Sequence, residues 1–523
     1  MSAADEIFTS AGLDLGHYDP RPAPPAGRLL TPMSIRASIA WSMATQYLAF
    51  VIQFGVSVII SRLYLSPAEF GVYSVALAAS MLVSMFQDAG ITRFVSGQRA
   101  MDPAHVRDYA GVAVSIACGV ALVLGALAPV ISHFYHDPSL IRLTVIIAAA
   151  SFISPFALIP VGLLTREMNF RALFFANISS ALSGGLLSIY LASRGIGPSS
   201  LAWGLLLAAI LRTGTVMRFR PVWPRIPRDW ATARPLLSFS ANSFFISASG
   251  AIGMRTQDLI VARLLGVMAT GLFSRATALS AQLSTLVTSG LTSVFYSAFA
   301  RKRDAGDPLA PSYLHLTACN TAVNWAAMVG LGLASGPLVH LLYGPKWAGV
   351  VPLLKWTALS ETLFVAVPLQ MDVPILLGRI RTLIWVNWID TAIILVCLTL
   401  ACLVGVEAAA ASRVVYGLIW VAIYGVFLAR LMQFRFADLI NIYWRSAVAA
   451  YGAGIPLIIA QNWMGMGAAD IGWTLLIALS LAGIPCWVAC LFLVRHPATI
   501  EIRTIAMRVH AMAMDRMGRR SAA

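Results

Sequence analysis

Charge is what this chain has least of. Only 11% of its 523 residues are Asp, Glu, Lys or Arg, and only 22 are acidic, whereas a soluble domain carries about 25% charged residues. So little charge cannot clothe a surface that faces water, and a soluble fold is excluded. Cysteine is scarce as well. Cys118, Cys319, Cys397, Cys402, Cys486 and Cys490 all lie inside apolar stretches, which argues against a disulfide framework and against a zinc site. Cys486 and Cys490 share a helix face and read as packing residues. No GxxxxGK[ST] loop occurs, so this chain does not itself hydrolyse ATP through such a loop, and no cofactor is expected. His133, His136 and Asp137 form an HxxHD cluster, but the interleaved Phe134 and Tyr135 favour an interfacial helix end over a metal site. Long polar segments between the apolar ones are also missing, which leaves no room for a soluble catalytic domain.

Apolar residues are what is there, at 59% of the chain with a mean hydropathy of +0.79. At about 20 residues per crossing, they suffice for roughly fourteen membrane helices. Breaks at Pro, Gly and charge place the runs at 37–61, 70–96, 109–133, 142–164, 172–193, 199–217, 236–264, 268–299, 313–343, 349–377, 382–404, 409–430, 443–463 and 472–494. The expected fold is therefore an all-α integral membrane protein of about fourteen transmembrane helices. Residues 1–35 carry Asp5, Glu6, Asp14 and Asp19 followed by five prolines, and read as a disordered tail without the basic start of a signal peptide.

Arginine sets the expected orientation. Connections after even-numbered runs hold Arg99 and Arg107, Arg166 and Arg171, Arg218 to Arg234, Arg301 to Arg303, Arg379 and Arg381, and Arg430 and Arg435. Odd-numbered connections are short and poor in charge. The positive-inside rule then puts both termini and every even connection in the cytoplasm. The net charge of +15 follows from topology, and no nucleic-acid partner is needed to explain it. Residues 496–523 form a basic tail in which Ile505, Val509 and Met512 share one helical face, as in a helix lying on an anionic leaflet of membrane lipids.

One phrase occurs twice. Arg62-Leu63 precedes Gly71-Val72-Tyr73-Ser74, and Arg263-Leu264 precedes Gly271-Leu272-Phe273-Ser274, each between two apolar runs. The copies begin six helices apart, so both run in the same direction. This implies a parallel repeat: a first six-helix bundle at 36–217, a linker at 218–235, a second bundle at 236–432, and two additional helices at 433–495, with a cavity between the bundles.

Charges inside apolar runs mark candidate sites, because each is costly there unless it meets a partner or water. Arg255 and Asp258 lie three apart on one helix face, and Arg275 falls on the next run. Counted from the outer helix ends, Arg255 and Arg275 reach similar depths of roughly 12–14 Å. Two cations at one level suit an anion, which guanidinium forks bind through paired hydrogen bonds. A structural Arg–Asp network is the alternative. Arg62 and Arg93 are further candidates for that cavity, although both lie close enough to helix ends to snorkel. Asp258, Asp88, Glu361 and Asp390 are candidates for ion coupling, through H⁺ or Na⁺. Gln46 and Gln53 lie seven apart on one face of the first run and face either a sugar or a neighbouring helix.

The stretch Ile59-Ile60-Ser61-Arg62-Leu63-Tyr64-Leu65-Ser66-Pro67-Ala68-Glu69-Phe70-Gly71-Val72-Tyr73-Ser74 resembles the first outer turn of the polysaccharide transporter family. That family belongs to the multidrug/oligosaccharidyl-lipid/polysaccharide exporter superfamily. Residues Asp258 to Gly266, Tyr343 to Leu354 and Leu377-Gly378-Arg379 resemble further turns of the same family, in the same order. The resemblance implies a flippase of the bacterial inner membrane that moves a polyprenyl-diphosphate-linked oligosaccharide by alternating access, drawing on an ion gradient or the membrane potential. It also implies an arginine-lined cavity and work alongside a polysaccharide polymerase and chain-length machinery, with no enzymatic activity of its own. A multidrug exporter of organic cations would favour carboxylates over arginines in its cavity. A membrane-embedded polymerase or ligase would need a long outer loop, and the outer connections here are short.

Overall fold

The computed structural model describes residues 35–501 apart from 89, 98–101 and 226–229, together with 503, 504 and 507. The acidic, proline-rich tail and most of the basic tail lie outside the described residues. No strand occurs among the described residues. The helices are α1 (Ile35–Leu63), α2 (Pro67–Asp88), α3 (Ile91–Gly97), α4 (Pro103–Tyr135), α5 (Ser139–Ile153), α6 (Leu158–Arg166), α7 (Phe170–Ser193), α8 (Ser199–Phe219) and α9 (Trp230–Ala305). There follow α10 (Ala310–Leu333), α11 (Ser335–Tyr343), α12 (Val350–Phe364), α13 (Asp372–Leu376), α14 (Ile380–Cys402), α15 (Val406–Met432), α16 (Phe436–Ile458) and α17 (Trp473–Leu493).

Each of the apolar runs falls on helix, but the count of crossings differs from the expected fourteen. Among the described residues 11 helices are long and apolar enough to cross a membrane, or 12 when α10 and α11, bent by 70° at their junction, form one span. The difference has two physical sources. The seventh and eighth runs are two helices that meet without a loop at a kink at Gly266, φ 86° and ψ 171°, a region that glycine enters freely, and so stand as one continuous element, α9. The tenth run is broken. Its main helix α12 has 15 residues and so a length of about 22 Å, short of a bilayer core of about 30 Å, before the chain turns into α13.

Two compact units are present, 1–271 and 272–523. The boundary falls later than the linker at 218–235, because the first part of α9 packs with the helices before it. Leu236 joins the cluster of Ile91, Phe94, Val95, Ile159 and Leu163. Ala262 joins Val72, Val75, Leu140 and Leu143, and the Tyr135 hydroxyl donates to the Leu259 carbonyl at 3.1 Å.

Within the first unit the two copies of the repeated phrase meet. Pro67 begins α2 behind a capping box, in which Glu69 Oε2 accepts from the Ser66 amide and hydroxyl, each at 2.8 Å. The second copy has no Ser-x-x-Glu and turns at Gly266 instead. From these different starts Gly71 and Gly271 reach the same register, four residues beyond Pro67 and Val267. A Cβ on Gly71 would collide with the Val267 carbonyl, and a Cβ on Gly271 with the Pro67 carbonyl. The reciprocity explains the duplicated glycine: each helix start lies on the other's backbone, a crossing only hydrogen side chains allow.

The second unit is built on an aromatic core of Tyr313, Tyr416, Trp420 and Tyr424 with Leu316, Val367, Leu383 and Leu428. The last two helices are integral to it, since Trp487 Nε1 of α17 donates to the Ala322 carbonyl of α10 at 3.0 Å. Beyond α17 the chain is tied back by fully buried His496. His496 Nδ1 accepts from the Ala498 amide at 3.1 Å, so the proton of the neutral ring sits on Nε2 and is donated to Ser446 Oγ at 2.9 Å. Ser446 pairs with Thr321 Oγ1 at 2.9 Å, and Thr321 donates to the Thr317 carbonyl at 2.8 Å. Burial, with Arg445 close by, pushes His496 down to about 4.

Two expectations follow from this packing. Gly71→Ala or Gly271→Ala should lower the melting temperature of the purified protein, by the equivalent of about 1–3 kcal/mol for an overpacked contact. Gly55→Ala, at a site with nothing within 4 Å of the added carbon, should not. Because the folded His496 titrates below its unfolded value of 6.5, its contribution to stability is complete above pH 6.5 and is lost as pH falls toward 4. Melting curves across that window should show the loss in the natural chain and a flatter profile in His496→Gln.

Candidate functional site

The first unit encloses a cavity of about 510 Å³ whose polar wall is cationic. It begins at α3, a short helix whose Ile91, Phe94 and Val95 are buried. Their i, i+3, i+4 spacing fixes the packed face, so Arg93 points away from it and is exposed. Opposite stands Arg212 of α8, held by its Nε donating to Asn177 Oδ1 of α7 at 3.1 Å. Both guanidinium groups line the cavity, with Thr92, Ser243 and the apolar Met85, Leu158, Val161 and Phe244. Among the described residues no carboxylate lines it. Two cations and two hydroxyls on one wall suit a multiply charged anion such as a phosphate or diphosphate.

The sequence candidates distribute unevenly around this cavity. Arg93 is part of it. Arg255 does not line it, but lies on the face of α9 that supplies Ala248 and Ala251, one turn further along, and is half-buried. Asp258 follows on the same helix and is also half-buried. Arg62 is exposed in the last turn of α1. Asp88 closes α2, and its side chain lies outside the described residues. Arg212 carried no signal of its own in the sequence beyond being an arginine inside an apolar run, and that signal was available.

Arg275 is placed differently from the expected cavity cation. It belongs to the second unit, is 4% exposed, and lies 5.1 Å from the Tyr343 ring centroid and 5.2 Å from that of Trp347. Two aromatic faces cover the cation. Their arrival from the end of α11 and the turn after it, about seventy residues on, is a tertiary event that helix depth alone does not reveal.

The second unit also partners the remaining carboxylates. Glu361 Oε1 meets Arg413 at 3.3 Å, both side chains about one-tenth exposed. Arg413 Nε donates to Ser360 Oγ at 3.4 Å while its guanidinium lies over Phe364. Asp390 accepts from the Tyr416 hydroxyl at 2.9 and 3.0 Å to its two oxygens. One turn away Tyr424 donates to Asn387 Oδ1 at 2.6 Å. A second, apolar cavity of about 380 Å³ lies among Val323, Ala327, Leu331, Leu457, Ile484 and Trp487. Among the described residues no group of three or more His, Cys, Asp or Glu side chains is arranged to hold a metal ion. Asp137 instead caps α5 by accepting from the Ser139 amide and hydroxyl at 2.9 and 2.6 Å.

Comparison with known proteins gives this geometry a family. The chain is 25% identical over 350 residues to the succinoglycan biosynthesis transport protein ExoT of Rhizobium meliloti strain 1021, covering 66% of this chain and 69% of that protein. It is 22% identical over 289 residues to the lipopolysaccharide biosynthesis protein WzxC of Escherichia coli K12, covering 55% and 59%. In fold it is similar to the lipid II flippase MurJ in an inward closed conformation, with a TM-score of 0.64, 12% identity, and coverage of 90% of this chain and 100% of that one. That likeness shows an all-α membrane fold. Residues 59–352, more than half of the chain, match the family described as polysaccharide biosynthesis protein, and the chain is a multi-pass membrane member of that family.

Proposed function

We propose that this chain is a flippase that carries a polyprenyl-diphosphate-linked oligosaccharide across the bacterial inner membrane for assembly into exopolysaccharide, capsule or O-antigen. The carrying observation is the cavity in which Arg93 and Arg212 face one space, with no carboxylate among its described lining residues. A diphosphate is doubly forked, and two guanidinium groups can each take one phosphate through paired hydrogen bonds. Arg255, one turn along the same helix face, and exposed Arg62 would receive the head group as it moves outward. The prenyl chain would remain among membrane lipids. Relatives named for succinoglycan transport and lipopolysaccharide biosynthesis support this substrate class over a nucleic acid or a soluble metabolite.

Ion coupling belongs to the same proposal. Glu361 is offset by Arg413, whereas Asp390 is held by the neutral hydroxyl of Tyr416. Asp390 is therefore the better carrier of H⁺ or Na⁺, ahead of Glu361, Asp258 and Asp88. An organic-cation exporter is disfavoured, because two guanidinium groups at the cavity wall repel its substrate. A polysaccharide polymerase and chain-length proteins would act on the product at the outer face, with both termini of the flippase in the cytoplasm.

Arg93→Ala combined with Arg212→Ala should cut polymer export at least about tenfold, the scale of one lost charge-assisted pair, while membrane levels of the protein stay unchanged. Full export by that double variant would overturn the cavity assignment. Asp390→Asn, which keeps an acceptor for Tyr416 but fixes the charge at zero, should remove the dependence of transport in proteoliposomes on an imposed ion gradient. An unaltered dependence would exclude Asp390 as the coupling group.

A further inference from the structure

α1 is the least packed of the long helices: only 6% of its most apolar window is buried. Its side chains sort into three sectors when placed at 100° per residue. The first packs on α7 and the start of α8, through Trp41 edge-on to Phe174 at 4.9 Å, Val56 against Gly185, and Ile60 with Ile189 and, from α8, Leu201. The second holds Met43, Tyr47, Phe50, Val51 and Phe54, of which Met43, Tyr47 and Val51 are among the exposed large apolar side chains and Phe50 stacks on Phe54 at 5.7 Å. Between these sectors runs a strip of about 60° that carries Ser42, Gln46, Gln53 and Ser57.

The strip is not a statistical scatter of polar residues. From 41 to 58 the only other polar side chains are Thr45 and Tyr47, and the Thr45 hydroxyl is satisfied by the Trp41 carbonyl at 2.7 Å. Ser42, Gln46 and Gln53 are exposed. A primary amide left in hydrocarbon loses hydrogen bonds it cannot replace, so a face that keeps two of them open must border water or a polar ligand. The strip carries no charge, which makes it a poor match for a diphosphate. Each glutamine offers two donors and an acceptor, the complement of a sugar hydroxyl that both donates and accepts. The neighbouring sector is apolar and aromatic. One helix thus presents a hydroxyl-binding strip beside a hydrocarbon-compatible face, the two halves of an amphiphile laid side by side.

We infer that Gln46 and Gln53, with Ser42, form the saccharide-binding strip of this protein, contacting neutral hydroxyl groups of the lipid-linked oligosaccharide and setting preference for the glycan independently of the arginines that take the diphosphate. The inference rests on the flippase reading for the nature of the ligand and on the helix for its location. Replacing both amides by leucine fits a position open to the bilayer and removes the hydrogen bonds alone.

The test uses the purified full-length protein in detergent with two probes: bare polyprenyl diphosphate, and the lipid-linked oligosaccharides extracted from the host's membranes. The natural chain should bind the sugar-bearing probe about tenfold more tightly than the bare lipid, the value of two net hydrogen bonds. Gln46→Leu with Gln53→Leu should erase that preference and leave affinity for the bare lipid unchanged, while Gln46→Asn with Gln53→Asn should retain part of it. A preference that survives the double leucine variant, or that the natural chain never shows, overturns the strip. Binding of the sugar-bearing probe without binding of the bare lipid overturns the diphosphate reading and leaves the strip standing. If the double leucine variant fails to fold, the single variants are measured. Loss of folding or of assembly state in those as well assigns the amides to a helix contact and overturns the proposal.

Discussion

A polar group taken into hydrocarbon must bring its partner with it, and this requirement shapes both units. In the second unit several charged side chains meet a partner from another helix or turn. Arg413 meets Glu361, Arg275 is covered by Tyr343 and Trp347, and Asp390 is held by Tyr416. Such pairs fix helices against one another, because separating them would leave a charge or a dipole without a partner in low dielectric. In the first unit Arg220 pairs with Glu167 at 3.1 Å, and part of the requirement is met by space. Arg93 and Arg212 face a cavity that water or an anion can occupy, and Asn177 orients one of them. That two guanidinium groups share one cavity wall is what marks a candidate site in this unit.

Duplication supplies the second organising constraint. The Arg-Leu…Gly phrase recurs because two helix starts cross at contact distance, and neither Gly71 nor Gly271 has room for a methyl group. The local chemistry of the two turns is nevertheless different. One copy uses a Ser66–Glu69 capping box, and the other a glycine at positive φ. What the duplication preserved is the crossing, and the means of reaching it diverged. The terminal helices also turn out to be more than an appendage, since Trp487 of α17 and Ser446 of α16 both bond to α10, at Ala322 and Thr321.

Apolar content and arginine spacing by themselves determined a multi-pass, all-α protein, the positions of its helices to within a few residues, and the duplicated turn, because lipid admits few alternatives to a helix whose backbone satisfies itself. They also singled out Arg93 and Gln46 with Gln53, since a polar residue in an apolar run is conspicuous along one helix. Only the tertiary structure decided what each such residue meets. Arg275 matched Arg255 in depth, yet it is enclosed by rings from a turn far along the chain. Glu361 looked isolated until Arg413 arrived from α15, and Arg212 gained its place through a cavity assembled from α2, α3, α6, α8 and α9. The break of the tenth run and the loopless join at Gly266 were equally out of reach, because hydropathy records that a segment prefers lipid but not where its backbone bends. Cost of burial is a property of one residue and can be read along a sequence. Compensation is a property of two, and distance in sequence says nothing about whether they meet.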